Sequence, residues 1–546
     1  MLCTSGSRFA RTASTVGVAL MALYGVEASA SRANPGGFAN AAHSLVPYTQ
    51  TPYVAARGCS AMSGVSINGV ILTAQLIPAS GTTPEHCRIR GTIPAEIGFD
   101  INLPTHWNGR LWMYGNGGFA GESADSANEA SARTAGLVNG FATARTDTGH
   151  LSSLEPLATF GYNRLDKIVD HAYRAVHETA VLAKTVVTQY YGRSANYSYF
   201  EGCSTGGREG MMGASRYPAD FDGILAGAPT LSWSKVMMKG LSNQVALDSA
   251  PTLSPDKLQT AFQHVLDKCD AKDGLKDGLI ADPRKCNFDP RHDLPRCGPS
   301  APSNACFTDA EIHALDTLQI GPRIRNKRNF PQNPDVYDNS TQAPWIFGLP
   351  PGAKNILTLF GESYFKYFAF LPEQDPNYDW HAFDFKKDPD RMGLIDSLLN
   401  PEPDLAAFNA RNGKVLSYWG WSDAALNPIM GYEYYNAVAK RLGLEETQSF
   451  YRLFFIPGMA HCSGGYGPGT LDGITPLIEW VELGKAPEHL LAQRVSGGVT
   501  VYNRTYCPYP QATVYDGGDP EKPENWSCKK KNNLGHDDHG KEDADD

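Results

Sequence analysis

The sequence predicts an α/β fold in which a large insertion interrupts one mostly parallel sheet. Two observations lead to this prediction. Short apolar segments alternate with helical patterns as far as residue 230 and again after residue 404, which is typical of parallel strands joined by helices. Between them, residues 231–404 lose this alternation and are rich in prolines and aromatic side chains. We therefore expect a main domain in two parts, residues 31–230 and 405–528, and a lid domain over residues 231–404.

The elements of the main domain follow from their residue patterns. Apolar and aromatic runs predict its strands, and a helix over residues 165–183 is predicted by apolar residues at helical spacing, among them Leu165, Ile168 and Val176. A second helix is expected over residues 211–217 and a third over residues 432–442. The predicted strands cover residues 65–77, 96–103, 110–114, 141–144, 197–200, 224–226, 413–419 and 453–456.

One turn carries a candidate nucleophile. The run Gly202-Cys203-Ser204-Thr205-Gly206 fits the pattern G-x-S-x-G, and it lies between the predicted strand at 197–200 and the predicted helix at 211–217. Strand, sharp turn and helix are the setting of the nucleophile elbow of α/β-hydrolases, where small residues make room for a strained serine. The alternative is a glycine-rich turn that holds an ordinary serine. The surrounding elements favour Ser204 as a nucleophile.

A nucleophilic serine needs a histidine base and a carboxylate that orients the histidine, and in this fold the acid precedes the histidine in the chain. Asp423 comes just after the predicted strand at 413–419, and His461 just after the strand at 453–456. Both positions lie at carboxyl ends of strands, towards which the elbow also points. Glu433 and Asp472 are alternative acids. His489, in a proline-flanked stretch that we interpret as helical, is the alternative base.

A glycine-rich loop offers backbone donors for an oxyanion. Residues 114–121 follow the short apolar strand at 111–113 and contain four glycines. In an α/β-hydrolase a loop in this place donates one N–H to the oxyanion, and the residue after the nucleophile donates another. We expect Thr205 and either Gly117 or Gly118 to be the donors. A plain turn is the alternative interpretation of the loop.

Charge and cysteine usage exclude several classes of function. The formal net charge of -10 provides no basic surface, so nucleic acid is not an expected partner. The 11 cysteines include no C-x-x-C pair, which disfavours zinc ribbons and C-x-x-C redox sites. Residues 529–546 are charged and of low complexity, and we expect this tail to be disordered.

The N-terminus is typical of a secretory signal peptide. Arg8 and Arg11 precede an apolar stretch over residues 16–26, and Ala28-Ser29-Ala30 fits a cleavage site. No other run is long and apolar enough to span a bilayer, so no membrane association is expected. Cleavage after residue 30 leaves an even number of cysteines. We therefore expect a secreted or periplasmic protein with disulfides.

Cysteines flank both candidate catalytic residues. Cys203 precedes Ser204 and Cys462 follows His461. A hydrogen bond between the serine and the histidine would bring these cysteines within disulfide geometry. Such a disulfide would stabilise the protein by about 5 kcal/mol in the chain-entropy model, because the loop is very long. Short separation alone suggests the remaining pairs, Cys59–Cys87, Cys269–Cys286, Cys297–Cys306 and Cys507–Cys528.

With these residues the sequence resembles the tannase and feruloyl esterase family of α/β-hydrolases. The run from Gly202 to Gly207, Asp423 and the pair His461-Cys462 match the family's Cys-Ser and His-Cys pattern, and the segments at 507–512 and 526–528 look like its closing segment. The resemblance covers nearly all of the chain after the signal peptide. It implies a catalytic domain with a large lid and the hydrolysis of galloyl, feruloyl or mono-hydroxyethyl terephthalate esters. Only Cys59 and Cys87 precede the elbow, fewer cysteines than in some members.

The insertion contains a possible calcium loop over residues 270–279. Three carboxylates within eight residues, with glycines that permit tight turns, suit calcium. Two Asp-Gly turns in a surface hairpin are the alternative. The resemblance implies a structural calcium site, with ligands that fall on the side chains of Asp270, Asp273 and Asp277 and on the carbonyls of Leu275 and Leu279.

Together these features predict a secreted serine esterase that acts on small aromatic carboxylic esters. A general lipase or peptidase of the same fold is one alternative. A non-catalytic binding protein on a hydrolase scaffold is another, and the complete set of Ser204, Asp423 and His461 disfavours it. Trp, Tyr and Phe in the insertion offer flat faces to an aromatic acyl ring. We therefore expect the insertion to cover the active site and to select the acyl group.

Overall fold

A computed structural model describes residues 37–298, 304–324, 327–328, 343–346, 354–497 and 499–530. The predicted signal peptide lies outside these ranges, as do residues 531–546 of the predicted tail. Lys529, the first residue of the expected tail, is instead the last residue of a short strand, where it pairs with Ala512. Among the residues described, every helix is too short or too polar to span a bilayer.

A nine-stranded mixed sheet forms the centre of the structure. Its strands are β1 Thr73–Ile77, β2 His86–Ile93, β3 Ile97–Pro104, β4 Arg110–Tyr114, β5 Ala142–Thr146, β6 Tyr197–Cys203, β7 Gly223–Gly227, β8 Lys414–Gly420 and β9 Tyr451–Ile456. Their spatial order is β9-β8-β7-β6-β4-β5-β3-β2-β1. The six strands from β9 to β5 are parallel, and β3, β2 and β1 continue the sheet in antiparallel fashion.

The alternation of side chains along β4 shows how both faces of the sheet are covered. Leu111 and Met113 belong to the larger hydrophobic core, whereas Trp112 and Tyr114 belong to a second core on the opposite face. All five residues of β7 are buried, as expected for a central parallel strand that helices cover on both sides. This layered arrangement is the α/β-hydrolase fold that the sequence predicts.

Helices cover the sheet and fill the insertion. The longer helices are α1 Ala127–Val138, α2 Ala175–Tyr191, α3 Thr205–Arg216, α4 Trp233–Asp248, α5 Pro255–Cys269, α6 Asp309–Ile320, α7 Ile356–Tyr367, α8 Gly393–Leu399, α9 Ile429–Leu442, α10 Leu444–Phe450 and α11 Ile474–Leu483. Short helices add Leu165–Val169, Pro290–Asp293, Ala343–Ile346 and Ala406–Ala410. The helix expected over 165–183 is interrupted by a π-helical turn, Asp170–Arg174, before α2 begins.

The sequence did not predict strand β2. Its outward positions carry Arg88 and Arg90, which break the apolar pattern of a strand. Both guanidinium groups form ion pairs with Asp100 on the adjacent strand β3, at 2.7 and 2.9 Å. The charges are therefore satisfied across the sheet, a long-range compensation that a local pattern does not reveal.

The segment between β7 and β8 leaves the sheet. Its described residues add no strand to the nine-stranded sheet, and helices α4 to α8 lie within it. Phe365, Phe370 and Phe383 pack against one another with ring centroids 4.7 to 6.5 Å apart, so these aromatic residues form a core of the insertion itself. Residues 304–324 add α6, which packs on α4.

Two small antiparallel sheets follow β9 in the chain. Thr470–Leu471, Leu490–Ser496 and Val499–Tyr506 form a three-stranded sheet, and Ala512–Tyr515 pairs with Trp526–Lys529. Five disulfides staple the structure, with Cα–Cα distances between 4.9 and 5.8 Å, and all five predicted pairings are confirmed. They are Cys59–Cys87, Cys203–Cys462, Cys269–Cys286, Cys297–Cys306 and Cys507–Cys528.

Candidate active site

Ser204 occupies a strained turn between β6 and α3. Its backbone has φ 63° and ψ −122°, an uncommon conformation for a residue with a side chain. The turn is so tight that a Cβ atom on Gly202 would lie 2.5 Å from the carbonyl carbon of Gly206. Only glycine fits at this position. The Ser204 amide donates to Gly227 at the end of β7, at 3.0 Å, which ties the elbow to the neighbouring strand.

His461 and Asp423 are joined at the ends of the next two strands. The Nδ1 atom of His461 lies 2.7 Å from Oδ2 of Asp423, and both side chains are buried. Oδ1 of Asp423 accepts hydrogen bonds from the amides of Ala425 and Leu426, at 2.9 and 2.8 Å. These bonds fix the carboxylate, so it can orient the imidazole and stabilise its protonated form.

The two loops touch without intervening side chains. The amide of Ser422 donates to the carbonyl of Met459 at 3.0 Å, and a Cβ atom on Gly420 would lie 2.1 Å from that same oxygen. The adjacent, parallel positions of β8 and β9 therefore deliver Asp423 and His461 to the same point.

Ser204 and His461 line one cavity of about 20 Å³. Nε2 of His461 is buried and has no hydrogen-bond partner among the described residues. No hydrogen bond therefore joins Nε2 to the Ser204 hydroxyl, and such catalytic hydrogen bonds are often long or unformed in hydrolases without substrate. Ser204 and His461 thus meet at this cavity, and Asp423 lies behind His461, in contact with its Nδ1 atom.

The disulfide between Cys203 and Cys462 links the two loops covalently. Their Cα atoms are 5.8 Å apart although 259 positions separate them in sequence. Because Cys203 is bonded to Ser204 and Cys462 to His461, the disulfide limits how far the serine and the histidine can separate.

The alternative acids and the alternative base lie elsewhere. Glu433 is half-exposed and faces Lys235 at 3.6 Å. Asp472 accepts hydrogen bonds from the amides of Asn40 and Thr475 at 2.7 and 2.9 Å. His489 is exposed, and it precedes the strand Leu490–Ser496 rather than lying in a helix, so that expectation was wrong. None of the three lines the cavity of Ser204.

The glycine-rich loop distinguishes between the two candidate oxyanion donors. The Gly117 amide donates to Oε1 of Glu122 at 2.9 Å and so is engaged elsewhere. Gly118 lines the cavity beside Ser204 and Thr205, and its φ of 52° turns the chain there. The Thr205 hydroxyl donates to the Gly118 carbonyl, which docks the loop on the start of α3. The geometry therefore favours Gly118 over Gly117.

Sequence reasoning missed the particular residues by which the insertion reaches the cavity. Trp233, Trp345 and Phe360 line it, and the ring of Trp345 meets that of His461 edge-on with centroids 5.3 Å apart. Phe360 lies against the loop, since a Cβ atom on Gly118 would come 3.1 Å from its ring. Their only sequence signal was the general richness of the insertion in aromatic residues.

A buried lysine of the insertion adds a charge near the site. Lys239 on α4 is buried, and burial lowers its pKa to about 8, against the opposing attraction of the Asp423 carboxylate. This residue was also missed, because a lysine within a helix is usually part of a solvated face.

The predicted calcium ligands lie on one loop that begins at the end of α5. The Asp270 carboxylate accepts from the amides of Asp277 and Gly278, at 3.1 and 3.0 Å. Burial raises the pKa of Asp273, and the charges of Asp277 and Asp270 add to this effect. The Asp277 carboxylate also binds the Arg504 guanidinium.

The aspartate oxygens are not drawn together as tightly as ligands around an ion. Within the described residues, the one group of three potential metal-binding side chains whose donor atoms lie within 4.8 Å of one another is His489, Cys507 and Cys528. Both of these cysteines are joined in a disulfide, so they cannot act as thiolate ligands. The three aspartates do not form such a group.

Comparison with known proteins identifies the family. The family model for tannase and feruloyl esterase matches residues 83–529. An uncharacterised esterase of Xanthomonas campestris pv. campestris is 34% identical over 501 residues, covering 82% of this chain and 84% of the relative. A mono(2-hydroxyethyl) terephthalate hydrolase of Piscinibacter sakaiensis is 32% identical over 521 residues, covering 82% and 86%.

Solved structures lead to the same family. The crystal structure of feruloyl esterase B from Aspergillus oryzae superposes with a TM-score of 0.73 at 26% identity, covering 85% of this chain and 98% of that chain. The match spans both parts of the main domain and the insertion between them. The chain therefore belongs to the tannase and feruloyl esterase family and is a carboxylic ester hydrolase.

Proposed function

We propose that this esterase is a secreted serine hydrolase of small aromatic carboxylic esters, in which Ser204, His461 and Asp423 form the catalytic triad. One observation carries the proposal. The imidazole of His461 is held by Asp423 at 2.7 Å, its Nε2 atom is buried with no hydrogen-bond partner among the described residues, and His461 lines the same cavity as the strained Ser204.

The arrangement supports a two-step acyl transfer. Ser204 Oγ attacks the ester carbonyl carbon as His461 Nε2 accepts the hydroxyl proton, and the resulting tetrahedral oxyanion is bound by the amides of Thr205 and Gly118. Collapse of this intermediate breaks the bond to the alcohol oxygen, which leaves with the proton from His461. Water then attacks the acyl-enzyme by the same route, releasing the carboxylic acid and restoring Ser204.

Aromatic side chains of the insertion support an aromatic acyl group. Trp345 and Phe360 face the cavity from above His461 and Gly118, respectively. Flat rings favour contact with another ring by edge-to-face or offset stacking. Since the triad acts on any activated ester, the choice of substrate depends on these walls. We propose that the insertion over residues 231–404 is a lid that selects feruloyl, galloyl or terephthalate-type esters.

A substrate panel tests both parts of the proposal. We expect hydrolysis of at least one of methyl ferulate, methyl gallate and mono(2-hydroxyethyl) terephthalate, and loss of activity by several orders of magnitude in Ser204→Ala. Hydrolysis of p-nitrophenyl butyrate without any of the three aromatic esters would indicate a general lipase. A Ser204→Ala variant that keeps a tenth of the wild-type turnover would refute the nucleophile.

We also propose a structural calcium ion at the Asp270–Asp277 loop. The donors are all oxygens, as calcium requires. Burial raises the pKa of Asp273, the charges of Asp277 and Asp270 add to this effect, and a divalent cation would relieve their repulsion. Asp270, Asp273 and Asp277 and the carbonyls of Leu275 and Leu279 would hold the ion. It would stabilise the insertion and take no part in the chemistry.

The cysteines support export. All ten cysteines after residue 30 are paired in disulfides, which form and persist in oxidising compartments. Together with the signal-like N-terminus, this supports a secreted or periplasmic location. Mass spectrometry of the exported protein should find an N-terminus at residue 31, and recovery of full-length, reduced protein from the cytosol alone would contradict the proposal.

A further inference from the structure

A buried carboxylate behind the nucleophile binds the loop that contains Gly118. Glu209 lies on α3, five residues after Ser204, and its side chain is only 2% exposed. Its Oε2 atom accepts a hydrogen bond from the Asn116 amide at 3.0 Å. Its Oε1 atom accepts from the Asn116 side chain at 3.1 Å. One carboxylate thus holds both the main chain and the side chain of a residue two positions before Gly118.

The loop and α3 touch backbone to backbone. A Cβ atom on Gly115 would lie 2.7 Å from the Cα atom of Gly206, and one on Gly206 would lie 2.9 Å from the Asn116 carbonyl oxygen. No other residue type fits at either position. The loop therefore rests on the first turn of the helix that begins with Thr205, and small shifts of the loop change the distance between the two candidate oxyanion donors.

The far side of Asn116 is held as well. Its Oδ1 atom accepts from the Arg145 guanidinium at 3.1 Å, and Arg145 forms a buried ion pair with Glu129 at 2.8 Å. Arg145 also donates to the Glu122 carbonyl at 3.1 Å, while the Glu122 carboxylate accepts from Gly117. The loop is thus clamped between Glu209 on α3 and Arg145 on β5.

Burial of Glu209 carries an energetic cost. Burial raises the pKa of Glu209 to about 7, and the Glu122 charge acts in the same direction. The Arg208 charge and the hydrogen bonds from Asn116 act the other way. Burying a carboxylate costs more free energy than burying an apolar side chain of similar size. We therefore expect the hydrogen bonds of Glu209 to contribute something that an apolar side chain could not. The hydrogen bonds of Glu209 go to Asn116 in the glycine-rich loop, and Glu209 does not line the cavity of Ser204.

We propose that Glu209 is a positioning residue of the esterase, whose carboxylate holds Asn116 and thereby sets the Gly118 amide beside that of Thr205. This inference rests on the proposed function, because it assigns the loop to the oxyanion. A donor placed in advance stabilises the tetrahedral intermediate without reorganisation during the reaction. Glu209 itself does not touch the substrate.

The test is Glu209→Gln, which keeps the shape of the side chain and replaces one acceptor oxygen with a donor that faces the Asn116 amide group. We expect kcat to fall about tenfold to a hundredfold with KM changed less than about twofold, since the lost interaction acts mainly in the transition state. An aryl trifluoromethyl ketone, whose adduct with serine places an oxyanion in the hole, should lose affinity by the same factor. The carboxylic acid product should bind as before.

Glu311→Gln is the matched control. Glu311 is also fully buried, binds Lys257 at 2.7 Å and belongs to the insertion, but it does not line the cavity of Ser204. It should lower the Tm while leaving kcat and ketone affinity of the folded protein unchanged. Equal kinetic losses in both variants, scaling with the unfolded fraction, would overturn the inference. So would a folded Glu209→Gln enzyme with wild-type kcat and ketone affinity.

The outcome separates this inference from the proposed function. If Ser204→Ala is inactive and Glu209→Gln is fully active, the triad stands and the role of Glu209 is refuted. If Ser204→Ala retains activity, the proposed function is refuted, and the inference about Glu209, which rests on it, is refuted with it.

Discussion

Cys203 and Cys462 form a disulfide between the neighbours of Ser204 and His461, with Cα atoms 5.8 Å apart across 259 positions of sequence. The disulfide closes almost half of the chain into one loop that includes the whole insertion. Its constraint therefore acts on the serine and the histidine at once, and on the stability of the main domain.

Removing this disulfide should lower stability and activity together. For Cys203→Ala/Cys462→Ala we expect a loss of up to about 5 kcal/mol, the chain-entropy figure for so long a loop, and a fall in kcat because the serine and the base can drift apart. Thermal unfolding and steady-state kinetics measure the two effects. Cys297→Ala/Cys306→Ala is the control, because its loop spans 9 positions and should contribute about 2.5 kcal/mol. A double variant of Cys203 and Cys462 with unchanged kcat and Tm would contradict this reasoning.

Asp423→Asn should remove most of the activity without unfolding the protein. An amide cannot hold the imidazole in the tautomer that accepts a proton from Ser204, and such a change typically lowers kcat by about 10⁴-fold. Steady-state hydrolysis of a p-nitrophenyl ester measures the loss. Asp472→Asn tests the competing acid, whose carboxylate is used by Thr475 and Asn40, and should keep kcat within about twofold. If Asp472→Asn were the inactive variant, the assignment of the acid would be wrong.

Trp345 and Phe360 should control the preference for the acyl group. Both side chains line the cavity from the insertion. Trp345→Ala and Phe360→Ala should therefore change the ratio of kcat/KM for methyl ferulate to that for methyl gallate. The loss of an apolar contact should shift the difference in activation free energy between the two esters by about 1–3 kcal/mol. Hydrolysis of p-nitrophenyl acetate should change less, because that ester has no aromatic acyl ring. Phe383→Ala, which alters the insertion's own core, is the control. Variants of Trp345 and Phe360 that keep the wild-type ratio would refute selection by these walls.

Calcium should stabilise the insertion by mass action. A chelator should lower the Tm of the wild-type protein, and added calcium should restore it, as for any ligand that binds the folded state alone. Asp273→Asn should abolish this response. Asp293→Asn, which removes an ion pair with Lys268 at 2.6 Å outside the loop, should keep it. Elemental analysis that finds no calcium in protein purified without chelator would count against the site.

Lys239 should destabilise the protein at neutral pH. Its pKa is lowered to about 8 in the folded state, which corresponds to about 3 kcal/mol of unfavourable ionisation relative to an ordinary lysine. Below pH 8 Lys239 is protonated in both the folded and the unfolded protein, so the full free-energy cost of burying its charge opposes folding. Between pH 8 and the ordinary lysine pKa the folded state binds fewer protons than the unfolded state, so stability rises with pH.

Lys239→Met should therefore raise the Tm at pH 7, and the gain should shrink towards pH 10. Thermal unfolding at several pH values measures it. Lys257→Met is the control, because Lys257 is equally buried but is paired with Glu311 at 2.7 Å, and it should lower the Tm at both ends of the range. A Lys239→Met variant that is less stable at pH 7 would show that the charge contributes to folding.

Local sequence predicted the elbow because the elbow is a local structure. Gly202, Ser204 and Gly206 lie within one turn. Their spacing alone predicts a strained backbone conformation at the serine, because larger residues at the two glycine positions would clash. The candidate base was found in the same way, from its place directly after a strand. The disulfide between Cys203 and Cys462 then followed from chain adjacency to these two residues, and the structure confirms it.

The sequence by itself determined the α/β class, the elbow and the disulfide between Cys203 and Cys462, since each depends on a pattern within a few residues or on adjacency to one, whereas it only suggested the other four cysteine pairs. Tertiary structure decided which acid reaches His461, which glycine faces the cavity, and that Trp345, Glu209 and Lys239 surround the site. Such contacts are set by the order of β6, β7, β8 and β9 and by the packing of insertion residues at the cavity. Side chains far apart in the chain meet only through that packing, so no local pattern encodes them.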